Sequence, residues 1–159
     1  MITKYIEHFV YLMSIATLVV LLYSVINGSA CRYEIRVQST ENRDTFVTCY
    51  RGKVMVLHSL FDEQNQLASK WQVSARQLKL GKQMIYLIYD RRRIEGSTTN
   101  NENDRYNEIF SGYKVLFYHV EVEGNKVFVF ENFPKNKVIE GQIEGFMDIW
   151  QMAQKTVAN

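Results

Sequence analysis

Only a handful of side chains in this chain are of kinds that carry out chemistry: Cys31, Cys49, His58, His119 and a scatter of carboxylates. A zinc site needs three or four ligands at short recurring spacings, and two isolated cysteines with distant histidines match no common ligand pattern. The chain also lacks a glycine-rich phosphate loop, a nucleophile elbow and paired histidines. Its carboxylates fall at turns or on polar faces. These residues therefore predict no catalysis, no metal and no cofactor. The histidines are more informative, because His58 in KVMVLHSL and His119 in LFYHVEV stand among mostly apolar neighbours. Burial would hold an imidazole neutral near pH 7 and make mild acid costly, so both are pH-sensing candidates. The plainer reading of each is a histidine satisfied by hydrogen bonds in the core or exposed on a strand edge.

The cysteines suggest a bridge. Cys31, Tyr33, Ile35 and Val37 alternate with Arg32, Glu34, Arg36 and Gln38, the two-residue period of a half-buried strand, and Thr45 to Tyr50 run back after a polar turn. Setting Tyr33 opposite Val47 places Cys31 opposite Cys49 on one face, where a cross-strand disulfide is sterically plausible. The alternative is two buried reduced thiols. Arg91-Arg92-Arg93 opens the one long charged, breaker-rich stretch, Arg91 to Asn103, and reads as a solvated loop that could instead touch lipid headgroups or an acidic surface.

The elements that must position these residues begin with an uncharged run from Phe9 to Ala30. As a helix it would span roughly 33 Å, matching a hydrocarbon core of about 30 Å. The expected division is a short cytoplasmic N-terminus over 1–8, a transmembrane signal anchor over 9–30 and an exported domain over 31–159. Gly28-Ser29-Ala30 also resembles a signal-peptidase site, and a lipoprotein would use Cys31. The apolar stretch is long and its leader poorly basic, which favours a retained anchor. Arg32, Arg36 and Arg43 outnumber Lys4 across the segment and argue for a cytoplasmic domain, but large domains translocate regardless of charge and the cysteines suit an oxidising compartment. One Lys and one Glu precede residue 31, so 18 basic and 16 acidic side chains of the chain's 19 and 17 remain, too even a balance for direct nucleic-acid binding.

The exported part reads as mainly β with a C-terminal α-helix. Strands are predicted over Lys53 to Leu60, Lys70 to Leu80 and Gln83 to Tyr89, with Gly81-Lys82 turning between the last two. Asn103 or Asp104 could cap a short helix carrying Tyr106, Ile109 and Phe110. Tyr113 to Asn132 reads as a hairpin about Gly124-Asn125, pairing Val122 with Val127 and Val120 with Val129, and ended by Phe133-Pro134. From Ile139 the residues Ile139, Ile143, Phe146, Trp150, Ala153 and Val157 predict a helix packed on the sheet, weakened at its start by Gly141 and Gly145. Six or seven antiparallel strands result, as a curved sheet or a partly open barrel. Its open edge would suit a strand from another chain. An unfilled barrel interior would instead suit a small apolar ligand such as a bile salt or lipid, lined by Trp71, Tyr86 and Phe117.

The segment MITKYIEHFVYLMSIATLVVLLYSVINGSAC, the cysteines at 31 and 49, a β-rich domain of this size and the absence of a catalytic motif resemble the accessory partners of membrane-anchored winged-helix regulators. ToxS, VtrC and the FidL-like proteins share this layout, and the chain is most similar to the PsaF and MyfF proteins of the pH 6 antigen and Myf fimbrial systems. The resemblance implies an inner-membrane protein with a periplasmic domain that forms a heterodimer with a PsaE-like or MyfE-like transcriptional regulator. It would stabilise or activate that regulator and so control fimbrial and virulence genes in response to acid and temperature. The resemblance further implies a lipocalin-like barrel completed by the regulator's chain and, as in VtrC, a bile-salt cavity.

Overall fold

The computed structural model describes residues 2–39, 42–96, 112–131 and 136–157. The chain starts with one long helix, α1 (Ile2–Ser29), whose stretch Lys4–Ser29 is long and apolar enough to span a membrane. Nearly all its apolar side chains up to Leu22 face outward, as lipid-facing residues would. Helix begins well before Phe9 because nothing between Ile2 and His8 breaks it: no Pro or Gly occurs there.

Eight strands follow: β1 (Arg32–Ser39), β2 (Arg43–Tyr50), β3 (Lys53–Phe61), β4 (Leu67–Leu80), β5 (Gln83–Gly96), β6 (Val115–Glu123), β7 (Lys126–Glu131) and β8 (Lys137–Phe146). Each pairs antiparallel with the next, and β1 pairs with β8 through Arg32↔Phe146 to Arg36↔Gln142, so the sheet closes into a barrel. Tight turns set the registers. Arg51 and Gly52 both have positive φ, as a two-residue hairpin loop between Tyr50 and Lys53 requires. Gly124-Asn125 turns β6 into β7 with Val122 opposite Val127 and Val120 opposite Val129, as its sequence predicts, and Gly81-Lys82 joins β4 to β5. An eight-stranded barrel has an interior that side chains can fill. Tyr33, Ile35, Val54, Val73, Ala75, Met84, Ile88, Val120, Val127 and Ile143 fill it here, with Met147 beneath.

Four expectations change. Residues 137–146 form β8 rather than the start of a helix; only α2 (Ile149–Val157) is helical. The cause is an ambiguity of spacing: positions four apart share a face in a strand as well as in a helix. The glycines then decide, since a Cβ on Gly141 would lie 2.9 Å from Val37 and Gly145, at φ +100, would put one against the Arg32 carbonyl. Next, Tyr33 pairs with Cys49 and Ile35 with Val47, two residues from the expected register, because the turn ends on Asn42 in the left-handed region. The shift of two keeps both cysteines on the interior face, and the Cys31–Cys49 disulfide forms one step past the ladder with Cα atoms 5.8 Å apart. Third, β5 runs on through Arg91-Arg92-Arg93, which are strand rather than loop. Finally, β8 closes the ring, so the barrel is closed rather than partly open. The helix expected around Tyr106, Ile109 and Phe110 and the stop at Phe133-Pro134 lie outside the described residues.

Beneath the barrel α1 ends in a polar joint. Asn27, 1% exposed, donates through Nδ2 to the Lys79 carbonyl (3.1 Å) and accepts through Oδ1 from the Ile149 amide (3.3 Å). Gly28 lies flat on β4, where a Cβ would come 2.5 Å from the Gln77 carbonyl. Gln77, 2% exposed, accepts from Tyr33 Oη (2.7 Å) and donates to the Met147 carbonyl (3.0 Å). Lys79 Nζ and Asp148 Oδ2, both buried, pair at 2.5 Å.

Two stability measurements follow from this frame. Replacing both cysteines by Ala should cost about 3 kcal/mol by urea unfolding, the chain-entropy value for a loop of this size, while unreduced wild type should show no thiol to alkylation. Asn27→Ala strands a buried carbonyl and the first amide of α2, and should cost about 2 kcal/mol in the same assay.

Candidate functional site

The barrel interior divides into two halves of different chemistry. Near the floor Tyr33 Oη lies 3.0 Å from Tyr86 Oη while donating to Gln77. Burial holds these phenols neutral: the Tyr86 hydroxyl is pushed up to about 12, and Tyr33 well above its usual value by burial and then by Tyr86. Tyr118, 5.8 Å from Tyr86 between ring centres, is raised by burial and by the Glu131 carboxylate.

Toward the rim the lining turns basic. His58 faces inward, its Nδ1 3.0 Å from Thr45 Oγ1 on the neighbouring strand. Burial, and after it the positive charges of Arg43 and Arg91, lowers its pKa from 6.5 to about 4. Arg91 is opposite the inward-facing Val73, and Arg93 stacks its guanidinium 4.9 Å over the Trp71 ring. The Nε atoms of Arg43, Arg91 and Arg93 are buried, as is the Glu131 side chain at the end of β7. Asp44 and Asp90 point outward, so Glu131 is the acid that shares this compartment among the described residues.

The outer wall over β5 to β8 carries apolar side chains. Leu87 pairs with Val115 and Ile85 with Phe117 across β5 and β6; His119, Phe130 and Val138 form the next row across β6, β7 and β8. Phe117 is 67% exposed, and Leu87, Val115 and Val138 are also exposed. His119 borders this patch: its Nδ1 is 3.3 Å from Gln83 Nε2, its Nε2 is 3.3 Å from Glu121 Oε1, and the Phe130 ring edge is 5.3 Å away between centres. Lys82 pairs with Glu121, and the Lys82 ammonium with the His119 ring holds that carboxyl below its usual range.

The two histidines thus lie apart, His58 inside the barrel on β3 and His119 outside it on β6. Of the cavity candidates, Trp71 and Tyr86 face the interior, but Phe117 faces solvent and lines no cavity, because it alternates with the inward Leu116 and Tyr118. Tyr86 hydrogen-bonds Tyr33 near the floor and keeps some accessible surface. Sequence reasoning missed Arg43, Arg91, Arg93 and Glu131 as interior residues. For Arg91 and Arg93 the obstacle is a bulge in β5: Ala75 pairs with Ile88 but Ser74 with Asp90, which shifts the inward positions from even to odd numbers without a glycine to mark it, whereas Arg43 continues the inward period of Thr45, Val47 and Cys49 on β2. Glu131 continues the period of Val127 and Val129, a signal that was present in the sequence. No protein-family model matches the chain, and no curated protein is similar to it.

His58 ties stability to pH. Its folded pKa lies below the unfolded one, so its contribution is complete above about pH 6.5 and is lost as pH falls toward about 4. Two to three pKa units set an upper value of about 3 kcal/mol; since the ring keeps some accessible surface, a loss on the order of 2 kcal/mol is expected. Urea unfolding at pH 7.5 and pH 4.5 should show that much more acid destabilisation for wild type than for His58→Gln.

Proposed function

We propose that this chain is a non-enzymatic accessory protein, held in the bacterial inner membrane by α1 with its barrel in the periplasm, that forms a heterodimer with a membrane-anchored winged-helix regulator of the PsaE or MyfE kind. It stabilises or activates that regulator's periplasmic domain and so controls fimbrial and virulence genes in response to acid and temperature. The observation carrying this reading is the apolar outer wall centred on Phe117, contiguous across β5 to β8. Contiguous exposed apolar surface on a well-packed domain marks a site for another macromolecule. A rim of His119, Glu121, Lys82 and Gln83 along its lower border supplies the polar surround usual for such interfaces.

The polar joint supports retention of α1 as an anchor, since a cut near Gly28 to Ala30 would remove Asn27 from the barrel floor. Anchoring both partners in one bilayer makes their meeting effectively intramolecular, so a modest patch suffices. Acid reaches the complex through His58 within the barrel.

A second reading, a ligand held in the barrel mouth, is favoured by the rim lining of Trp71, Arg43, Arg91 and Arg93. That lining suits an amphipathic anion such as a bile salt better than a neutral lipid. Mass spectrometry of the purified full chain tests it: a stoichiometric organic anion would favour this reading, and its absence would remove it.

Phe117→Glu tests the main proposal. In membranes carrying both proteins it should cut copurification of the regulator at least about tenfold, as loss of a central aromatic anchor does. Unfolding of the exposed-site variant should stay within about 0.5 kcal/mol of wild type. Undiminished capture would overturn the assignment of this wall.

A further inference from the structure

The C-terminal helix α2 has few contacts with the barrel and an exposed side of its own. It is anchored at its start. Asp148 caps it, its Oδ1 accepting from the Gln151 amide at 2.9 Å, while the Gln151 side chain accepts from the Met147 amide at 2.8 Å. Asn27 of α1 holds the Ile149 amide, and Asp148 is tied to Lys79 in the floor. Beyond that point Lys155 Nζ reaches back to the Gly145 carbonyl (2.6 Å), while Trp150, Ala153 and Gln154 share an exposed side at helical spacing. Trp150 is 66% exposed and its indole N–H donates to Tyr23 Oη of α1 at 3.0 Å.

That hydrogen bond fixes the height of α2. Asn27 and Gly28 already meet Lys79 and Gln77 of β4, so the hydrocarbon ends below Gly28 on α1. Tyr23 is five residues below, roughly 7 Å into the boundary zone, beside Val25 and Ile26, which are also exposed. Tyrosine and tryptophan concentrate at this depth, with their rings among acyl chains and their polar atoms toward the headgroups. A short helix whose apolar side lies at this level is placed as an interfacial helix is, buried about 5–10 Å into the headgroup and acyl boundary.

We infer that α2 is an interfacial membrane helix: resting on the proposed anchoring by α1, Trp150 and Ala153 lie in the barrel-side leaflet of that bilayer, with Trp150 and Tyr23 forming one aromatic anchor. The occupant of this exposed side is lipid because the side is continuous with the lipid-facing surface of α1 through the Trp150–Tyr23 contact. Together α1 and α2 make two attachments to one membrane, and the barrel floor is held against its surface. The inference is independent of which protein docks on the outer wall.

Fluorescence of the full chain in vesicles of phosphatidylcholine and phosphatidylglycerol brominated at acyl positions 6 and 7 tests it. Trp71, near the barrel rim, serves as the internal reference. Wild type should lose about half its tryptophan emission relative to unbrominated vesicles, as expected for a ring at interfacial depth, and Trp150→Phe should lose less than about a tenth. Equal, small quenching of wild type and Trp150→Phe would overturn the inference, whether a second copy, the barrel or water covers Trp150. Ala153→Asp, at an exposed position, should reduce the quenching of wild type at least about twofold by lifting α2 from the acyl region; unchanged quenching would overturn it equally.

Discussion

Everything about how this domain is presented depends on the buried polar joint between the end of α1 and the barrel floor. Asn27, Gln77, Lys79 and Asp148 are all nearly inaccessible, and an amide or charge in that position is tolerated only if its partners are supplied. Here they are supplied by three separate parts of the chain. Gln77 on β4 links Tyr33 of β1, Met147 after β8 and the helix end at Gly28, the last at 3.5 Å. A buried ion pair such as Lys79–Asp148 adds little net stability, because desolvation offsets most of the attraction. Its effect is to make one arrangement of helix, barrel and α2 the satisfied one, since any slippage leaves charges or amides unpaired. Small residues complete the fit: Gly28 against β4, and Gly52 against Ser29.

A rigid joint changes what an anchor does. A flexible tether would only raise local concentration, whereas a welded helix also sets the direction in which each surface points. The β5–β6 wall runs from Gln83 and His119 near the floor to Leu87 and Val115 toward the rim. The basic rim with His58 opens at the other end from the joint. The two histidines are consequently separated in place: His58 lies in the barrel interior, where its titration is tied to the fold, and His119 lies beside Glu121 at the border of the wall.

Much of this was legible in the residues. Strict alternation located β1, β3, β4 and the β6–β7 hairpin, and the paired turn residues Arg51-Gly52, Gly81-Lys82 and Gly124-Asn125 located their ends. His58 shares the period of Val54, Val56 and Leu60, so its inward direction follows from sequence. What was not legible depends on long-range geometry. Ile139 and Ile143 satisfy helix and strand equally, and only the closure of β8 onto β1, with Gly141 facing Val37, separates the two. The inward direction of Arg91 and Arg93 depends on a bulge, which a sequence shows only when a glycine marks it. The stripe Trp150–Ala153 was visible as amphipathic, but whether its apolar side meets core or something else is decided by Asn27 and Tyr23, more than a hundred residues away.

Closure of the barrel also restricts how any partner can bind. Adding a strand between β1 and β8 would mean breaking the ladder from Arg32↔Phe146 to Arg36↔Gln142, and the closed ring offers no other full-length edge. The ladders are uneven in length: β1 and β8 pair over Arg32–Arg36 and Gln142–Phe146, and β6 and β7 over His119–Glu123 and Lys126–Phe130. β6 pairs with β5 only from Gln83 to Leu87, with a last bond from the Ile88 amide to the Lys114 carbonyl, while β5 continues to Gly96. Positions 90–96 of β5 continue the ladder with β4. Most of a closed ring of this kind can be met only by side-chain contact along its outer surface, because its backbone groups are already paired within the sheet.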